Sequence, residues 1–568
     1  MLKIVNYTQY FKNVLQGEVQ MKFKKLLITG ATVILSATAL AGCGSSSSKS
    51  QAPKNTVRIS EKDVIATMDS SMNTDVIGAQ NLTNTMEGLY RYKGKDIKPA
   101  LATKVVKPTN NGLTYTFSLR KNAKWSNGDP VTANDFVYAW RRTVNPKTKS
   151  QYAYIYEGIA NAKDITAGKK PVDSLGVKAV NDHTLQVNLE KPVPYFSQLM
   201  TSSTFYPQNP RTVNKWGKKY GTNSKTLVFN GPYKLVKWSG ADNSWTEVKN
   251  NSYWNAKDVK VQKIQYQVVK DPSTALNLYQ SNKLDRALLT GDIAKQMKKS
   301  KGYGIIKRNA TFYITPNMKK QPVFKNEKIR QAISLSINRP QLTKRVLGDG
   351  SVATNSFTAS NMAFDPQDKS KDFVKETSAS ANKYAKYDPT EAKKLWKQGL
   401  AETGNTGKKF NFTLLGDDTD TAKKQNEFLQ NQLEKLPGVK VTLNNVPFKS
   451  RLSRSDNGDF DMVVTAWNAD FPDPINFLTL FTSDSSYNYG KWNNPEFDAL
   501  VNKSLTDDAN NPAARWKDMI DAQNIANEQQ PVIPLYQQGE AWMTHARVKD
   551  LDFGPAGSYN MVSLRIKD

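Results

Sequence analysis

From about residue 56 onward the chain alternates between two hydrophobic periods. Leu113, Tyr115, Phe117 and Leu119 are separated by Thr114, Thr116 and Ser118, with Arg120 following, the pattern of a strand with one buried face. Asn127-Gly128 then marks a turn. Thr132-Ala-Asn-Asp135 sets a hydroxyl one helical turn before a carboxylate, a capping box that predicts a helix with Phe136 and Trp140 on one face. Asp388-Pro389 predicts a second helix start, followed by Ala392, Leu395, Trp396 and Gly399 at helical spacing. A further helix is predicted over about 421–436. Pro437-Gly438 closes it, and Val439, Val441 and Leu443 alternate as a strand. Strand–helix alternation without internal repeats predicts α/β lobes with mixed or parallel sheets.

One segment stands apart from this alternation. Met462 to Ala466 is a nearly continuous apolar run, as in a strand buried on both faces, and it ends in Trp467-Asn468-Ala469-Asp470 before the stiff Phe471-Pro472-Asp473-Pro474. Ligands of open α/β sheets sit beyond the carboxyl ends of strands, so a Trp and a carboxylate there are candidates for ligand contact. The same spacing also suits a core Trp followed by a helix-capping Asp.

The first residues change the picture from fold to location. From Met21 the chain reads Met-Lys-Phe-Lys-Lys, then an apolar run from Leu26 to Leu40, then Ala41-Gly42-Cys43. A basic head, about 15 apolar residues and small residues at a cut site describe a secretory signal over 21–42. The run falls short of the roughly 20 residues of a membrane span. Leu40-Ala-Gly-Cys43 resembles the bacterial lipobox, which implies lipid on Cys43 and anchoring of the chain to the outer face of the cytoplasmic membrane. Residues 1–20 fit no targeting pattern, and Gln16-Gly17-Glu18 can be encoded by a ribosome-binding sequence, so secretion is expected to begin at Met21. Residues 43–55 are rich in Ser and polar residues and read as a flexible tether. The remainder, about 515 residues, is too long for one core.

Net charge is +29, of which residues 1–42 contribute five Lys and one Glu, leaving +25 beyond them. The basic residues are scattered, without an aromatic-studded block of the nucleic-acid kind. The charge suits attraction to anionic lipids or wall polymers, or solubility alone. Enzyme chemistry finds little support. There is no His-Glu-x-x-His and no Gly-x-Ser-x-Gly, and Gly404-Asn-Thr-Gly407-Lys408-Lys409 lacks the spacing of a phosphate loop. His183 and His545 are the only histidines and Cys43 the only cysteine, so neither a metal site nor a cofactor is expected.

Ser118-Leu-Arg-Lys-Asn-Ala-Lys-Trp-Ser-Asn-Gly-Asp-Pro-Val-Thr-Ala-Asn-Asp-Phe-Val-Tyr-Ala-Trp140 closely resembles the signature of the family 5 extracellular solute-binding proteins, the oligopeptide-binding (OppA-type) receptors. Met86-Glu-Gly-Leu-Tyr90, Lys191-Pro-Val-Pro-Tyr-Phe196, Asn230-Gly-Pro-Tyr-Lys-Leu235 and Val323-Phe-Lys-Asn-Glu-Lys-Ile-Arg330 agree in order. The resemblance implies a two-lobed, periplasmic-binding-protein-like clamshell (class II, cluster C type) with an extra inserted domain. Lobe I would comprise 56–90, 229–314 and 536–568, the inserted domain II 91–228, and lobe III 315–535. It also implies an extended peptide held between the lobes and delivered to the permease and ATPase subunits of an ABC importer. Trp467 resembles an aromatic wall, the backbone of Ala466, Trp467, Asn468 and Ala469 would pair with the peptide, and Asp470 would grip its α-ammonium. Val76 aligns with a backbone contact, and Tyr152 and Tyr536 with cleft tyrosines. The sequence departs from the family at Ser455 and Val464, where arginines can meet peptide C-termini, and Arg454 is out of register by one. Other readings on the same fold are a receptor for one signalling peptide (a pheromone), binding of another solute, or a wall-attached adhesin.

Overall fold

The computed structural model describes residues 54–555 and 559–567; the secretion signal, Cys43 and nearly all of the tether lie outside them. The principal strands in chain order are β1 (Thr56–Glu61), β2 (Thr114–Ser118), β3 (Val177–Asn181), β4 (Thr184–Asn188), β5 (Tyr233–Val236), β6 (Ser244–Lys249) and β7 (Lys263–Val268). They continue with β8 (Arg286–Leu289), β9 (Tyr303–Pro316), β10 (Phe410–Asp417), β11 (Val439–Val446), β12 (Met462–Asn468) and β13 (Ile533–Thr544). The helices that matter for the site are α1 (Val76–Thr85), α2 (Ala133–Val144), α3 (Pro389–Glu402), α4 (Asp420–Leu433) and α5 (Phe448–Asn457).

Ten of these strands form one curled mixed sheet in the order β11-β10-β12-β9-β13-β8-β1-β7-β6-β5, with the two-residue strand Val352–Ala353 against β13 as the eleventh. β10 pairs in parallel with β11 along its whole length and with β12 at its end, whereas β12 runs antiparallel to β9. The long strands β9 and β13 belong to both halves. They pair with each other from Tyr303↔Met543 to Ile314↔Ile533, β13 reaching β8 at one end and β9 reaching β12 at the other. The chain is thus a two-lobed α/β clamshell whose lobes share two continuous strands. The expected boundaries at 314/315 and 535/536 fall inside β9 and β13 rather than in linkers.

Local rules explain the elements. In β2, Tyr115 and Phe117 are buried while Thr116 and Ser118 face water, and β2, β4 and β3 form a separate antiparallel sheet. The Asp135 carboxylate accepts from the Thr132 N–H at 2.9 Å and from Trp125 Nε1 at 3.1 Å, which starts α2. Burial pushes this carboxyl up to about 6. One helical turn further on, fully buried Trp140 meets Phe205 edge-on at 5.4 Å and donates its Nε1 to the Phe205 carbonyl at 3.0 Å. Losing such a side chain costs about 3–5 kcal/mol. Asp388 caps α3 through the N–H groups of Thr390 and Glu391 at 3.1 and 3.0 Å. β12 is buried on both faces from Met462 to Val464, as a central strand with β10 on one side and β9 on the other. Among the described residues no helix is long and apolar enough to cross a membrane.

Candidate functional site

The edge of the sheet opens where β10 and β12 part company. β10 stays beside β12 only to the Leu415–Val463 pair, while β12 runs on to Asn468. The end of β12 therefore has β9 on one side and a cavity of about 380 Å³ on the other. The cavity is lined by Val464 through Asp470 from β12 and its continuation, by Asp75 and Val76 at the start of α1, and by Tyr152, Tyr487 and Tyr536. It sits beyond the carboxyl ends of parallel strands, where α/β sheets place their ligands.

Asp470 is held by neutral donors. Its carboxylate accepts from the Tyr152 hydroxyl and from Asn476 Nδ2, each at 3.3 Å. Asn476 Oδ1 in turn accepts from Trp467 Nε1 at 2.8 Å and from the Asp470 N–H at 3.0 Å. Asp470 forms no ion pair with any described residue, and burial pushes its carboxyl up to about 6 despite the two hydrogen bonds. It is not the cap of the one-turn helix Ile475–Leu478, whose N-cap is Pro474 and whose Ile475 N–H is accepted by Asp473 at 3.0 Å.

An aromatic wall surrounds the carboxylate. Tyr152 stacks near-parallel on Trp467 at 6.1 Å, and Tyr487 meets Trp467 at 4.8 Å and Tyr152 at 5.9 Å. Burial raises the hydroxyls of Tyr152, Tyr154 and Tyr487 far above their usual range, so they stay neutral donors.

Of the residues singled out by sequence, Asp470, Trp467, Ala466, Asn468, Ala469, Val76, Tyr152 and Tyr536 all line this cavity. Ala469 donates its N–H to the Asn309 carbonyl at 2.8 Å, which commits that amide to β9. Val76 is the first residue of α1 and 45% exposed although apolar. Tyr536 stacks on Phe312 at 4.7 Å and donates to Gln425 Oε1 at 2.7 Å. Cys43 lies outside the described residues. Ser455 is buried and donates to the Arg451 carbonyl at 2.9 Å. Arg454 turns to Asp459 at 3.5 Å and is not in the cavity wall.

Sequence reasoning missed three features. Asn476 carries no motif of its own, yet it ties Trp467 to Asp470. Tyr487 comes from a Ser-Tyr-Asn-Tyr stretch whose alternating aromatics were the only available sign. Arg451, one helical turn before Ser455 on α5, lines the cavity, with Nε on Asp417 Oδ1 at 3.0 Å and Nη1 on Thr465 Oγ1 at 3.2 Å.

Contacts across the cleft hold distant parts of the chain together. Besides Tyr152–Asp470, Tyr195 stacks on Phe471 at 4.2 Å and 7°. Lys270 pairs with Asp418 at 2.6 Å, and the hydroxyls of Thr290 and Thr421 lie 2.6 Å apart.

A two-lobed α/β binding protein with its cavity between the lobes is the class that this fold and site define. The chain belongs to the bacterial extracellular solute-binding proteins, family 5, whose "Middle" model matches residues 96–489. It is 36% identical over 562 residues to the dipeptide-binding protein of Lactococcus lactis subsp. cremoris, covering 96% of this chain and all of that one. Among solved structures it is similar to Listeria monocytogenes OppA bound to peptide, at 38% identity and a TM-score of 0.86, covering 90% of this chain and 99% of that one. Two structures of the Escherichia coli murein tripeptide binding protein MppA are informative as a pair. Both are 29% identical and are covered over 98% of their length, against 90% and 91% of this chain, yet the TM-score is 0.81 to one and 0.60 to the unliganded open form. The backbone of this chain thus departs further from that open form than from the other MppA structure.

Proposed function

We propose that this protein captures short peptides outside the cytoplasmic membrane, grips the α-ammonium with Asp470, and delivers the peptide to the permease and ATPase subunits of an ABC importer. The observation that carries this reading is a carboxylate in the cavity held by neutral donors and ion-paired to no described residue. A buried charge needs a partner, and here the ligand is the available source. The peptide-binding names of the Lactococcus and Listeria relatives support the same ligand class. An extended peptide added beside the end of β12 would pair with its backbone around Ala466 and Asn468, a mode that tolerates many side chains. β9 and β13 would then serve as the hinge between lobe III (315–535) and lobe I with its inserted domain II (91–228).

Calorimetry on one peptide with its N-terminus free and acetylated tests the reading. Acetylation removes the ammonium and should weaken binding by more than tenfold; equal affinity for the two forms would overturn the role of Asp470. Anchoring through lipid on Cys43 is part of the proposal. Cys43→Ser should release the protein to the medium or leave its precursor uncleaved, and unchanged processing with unchanged membrane retention would refute the anchor.

A further inference from the structure

Helix α4 begins just after β10 ends, and its second turn lays Asn426 against the end of that strand. Gly416 makes the room: a Cβ at this position would come within 2.2 Å of Asn426 Nδ2. Asn426 lines the cavity and is fully buried, yet neither Nδ2 nor Oδ1 has a hydrogen-bond partner among the described residues. Buried polar atoms in native proteins are nearly always satisfied, so a side chain with both a donor and an acceptor left over calls for an explanation. Its neighbours need none. Gln425 Oε1 accepts from Tyr536, Asp417 accepts from Arg451 Nε at 3.0 Å, and Thr421 shares a hydrogen bond with Thr290. Among the described residues of the cavity wall the Tyr92 and Tyr487 hydroxyls also lack a partner, but only Asn426 leaves a separate donor atom and a separate acceptor atom unused.

We infer that Asn426 is a specificity residue: its carboxamide receives a ligand side chain that donates and accepts in one plane, the carboxamide of a glutamine or asparagine. This rests on the peptide reading above. A second carboxamide meets Nδ2 and Oδ1 together through two parallel hydrogen bonds, one accepted and one donated. An aliphatic side chain leaves both atoms stranded. A carboxylate satisfies Nδ2 but opposes Oδ1, and it brings a second negative charge to a wall where the Asp417 charge is already matched by Arg451. An ammonium satisfies Oδ1 but opposes Nδ2 and meets the Arg451 guanidinium. Sites built to hydrogen-bond a ligand group reject analogues that lack it more sharply than apolar pockets reject a missing methylene.

The test is a position scan by calorimetry, using peptides of three to five alanines with Gln, Glu or Leu placed at each position in turn. These side chains are close in size and differ in hydrogen bonding. At one position, Gln should bind at least tenfold more tightly than Leu and Glu, and Asn426→Leu should bring the Gln-to-Leu ratio near one. Asn426→Ala should do the same. The ratio is taken within one protein, so a general change in stability cancels. A ratio near one at every position in the unmodified protein overturns the inference without needing any variant, and so does a Gln preference that survives Asn426→Leu. A protein that binds polyalanine without side-chain preference loses only this subsite; one that binds none of the peptides loses the peptide reading with it.

Discussion

Two carboxylates stand at the ends of neighbouring strands in one cavity, and the protein equips them in opposite ways. Asp417 closes β10 and receives Arg451 Nε at 3.0 Å, a guanidinium fixed further by Thr465. Asp470 follows β12 and receives only a phenol and an amide, each at 3.3 Å. A charge matched within the protein is structural, and its partner has no unspent charge for a ligand. A charge left to neutral donors is costly until something cationic arrives. On the proposed reading, the contrast separates scaffold from receptor within a single wall.

The largest break in this comparison is Asp470→Asn. It keeps the size and one accepting oxygen but removes the charge, and affinity for a free peptide should fall by about 2–5 kcal/mol, the cost of truncating one partner of an enclosed charge pair. The variant should bind free and acetylated peptides almost equally. It should also be more stable than the parent without ligand at neutral pH, by about 1–3 kcal/mol. The sign follows from the raised carboxyl: protonation favours the fold, so that stability is present below pH about 4 and is lost as pH rises through about 6. Denaturant titration at pH 4 and pH 8 measures it, and a stability gap that does not widen with pH would contradict this account of Asp470.

Arg451→Met should act in the other register. It strands Asp417 in a partly buried wall, so unfolding free energy should drop by about 1–3 kcal/mol, while peptide affinity changes far less. A variant of normal stability that loses peptide binding would reverse the assignment of the two carboxylates.

Much of this architecture is legible along the chain because it is local. The alternation in β2, the Asp135 cap of α2, the Asp388 cap of α3 and the double burial of β12 each depend on residues within one or two turns. Asp470 stood out for a related reason, as a carboxylate just past a buried strand, although spacing alone also fitted a helix cap. What spacing could not show lies across the cleft. Tyr152 and Asp470 are 318 residues apart in sequence, and Arg451 meets Asp417 through a helix and a strand separated by 34. Trp467 escapes a choice between core and site because it is both, buried on one side and bonded through Asn476 to Asp470 on the other. The expected boundaries at 314/315 and 535/536 have no compositional trace, since β9 and β13 continue through them.

A pH series sharpens the comparison with a smaller effect. Below about 6 the free Asp470 takes up a proton, and above about 8 the peptide ammonium loses one. Affinity should therefore be greatest between these values and fall toward tenfold per pH unit outside them. In Asp470→Asn the acid limb should vanish and the alkaline limb flatten. An acid limb unchanged in the variant would move the titrating group elsewhere.

The smallest expected effect concerns the other end of the peptide. Ser455 and Val464 offer no guanidinium, and Arg454 is engaged by Asp459 outside the cavity wall. Arg451 does reach the cavity, but its charge is matched by Asp417 and its Nη1 is held by Thr465. For a ligand carboxylate to recruit it, that pair would have to be shared or broken, and the gain would be offset by the loss. C-terminal amidation of a good ligand should thus change affinity by less than about threefold, under 0.7 kcal/mol, against more than tenfold for acetylation of the same peptide. Both modifications remove one charge from one end, so each controls for the other. Should amidation cost as much as acetylation, a cation of the cavity wall reads the carboxylate, and Arg451→Met would tell Arg451 from Lys62, Arg91, Lys270 and Arg308: only if Arg451 is the reader does the difference between acid and amide vanish.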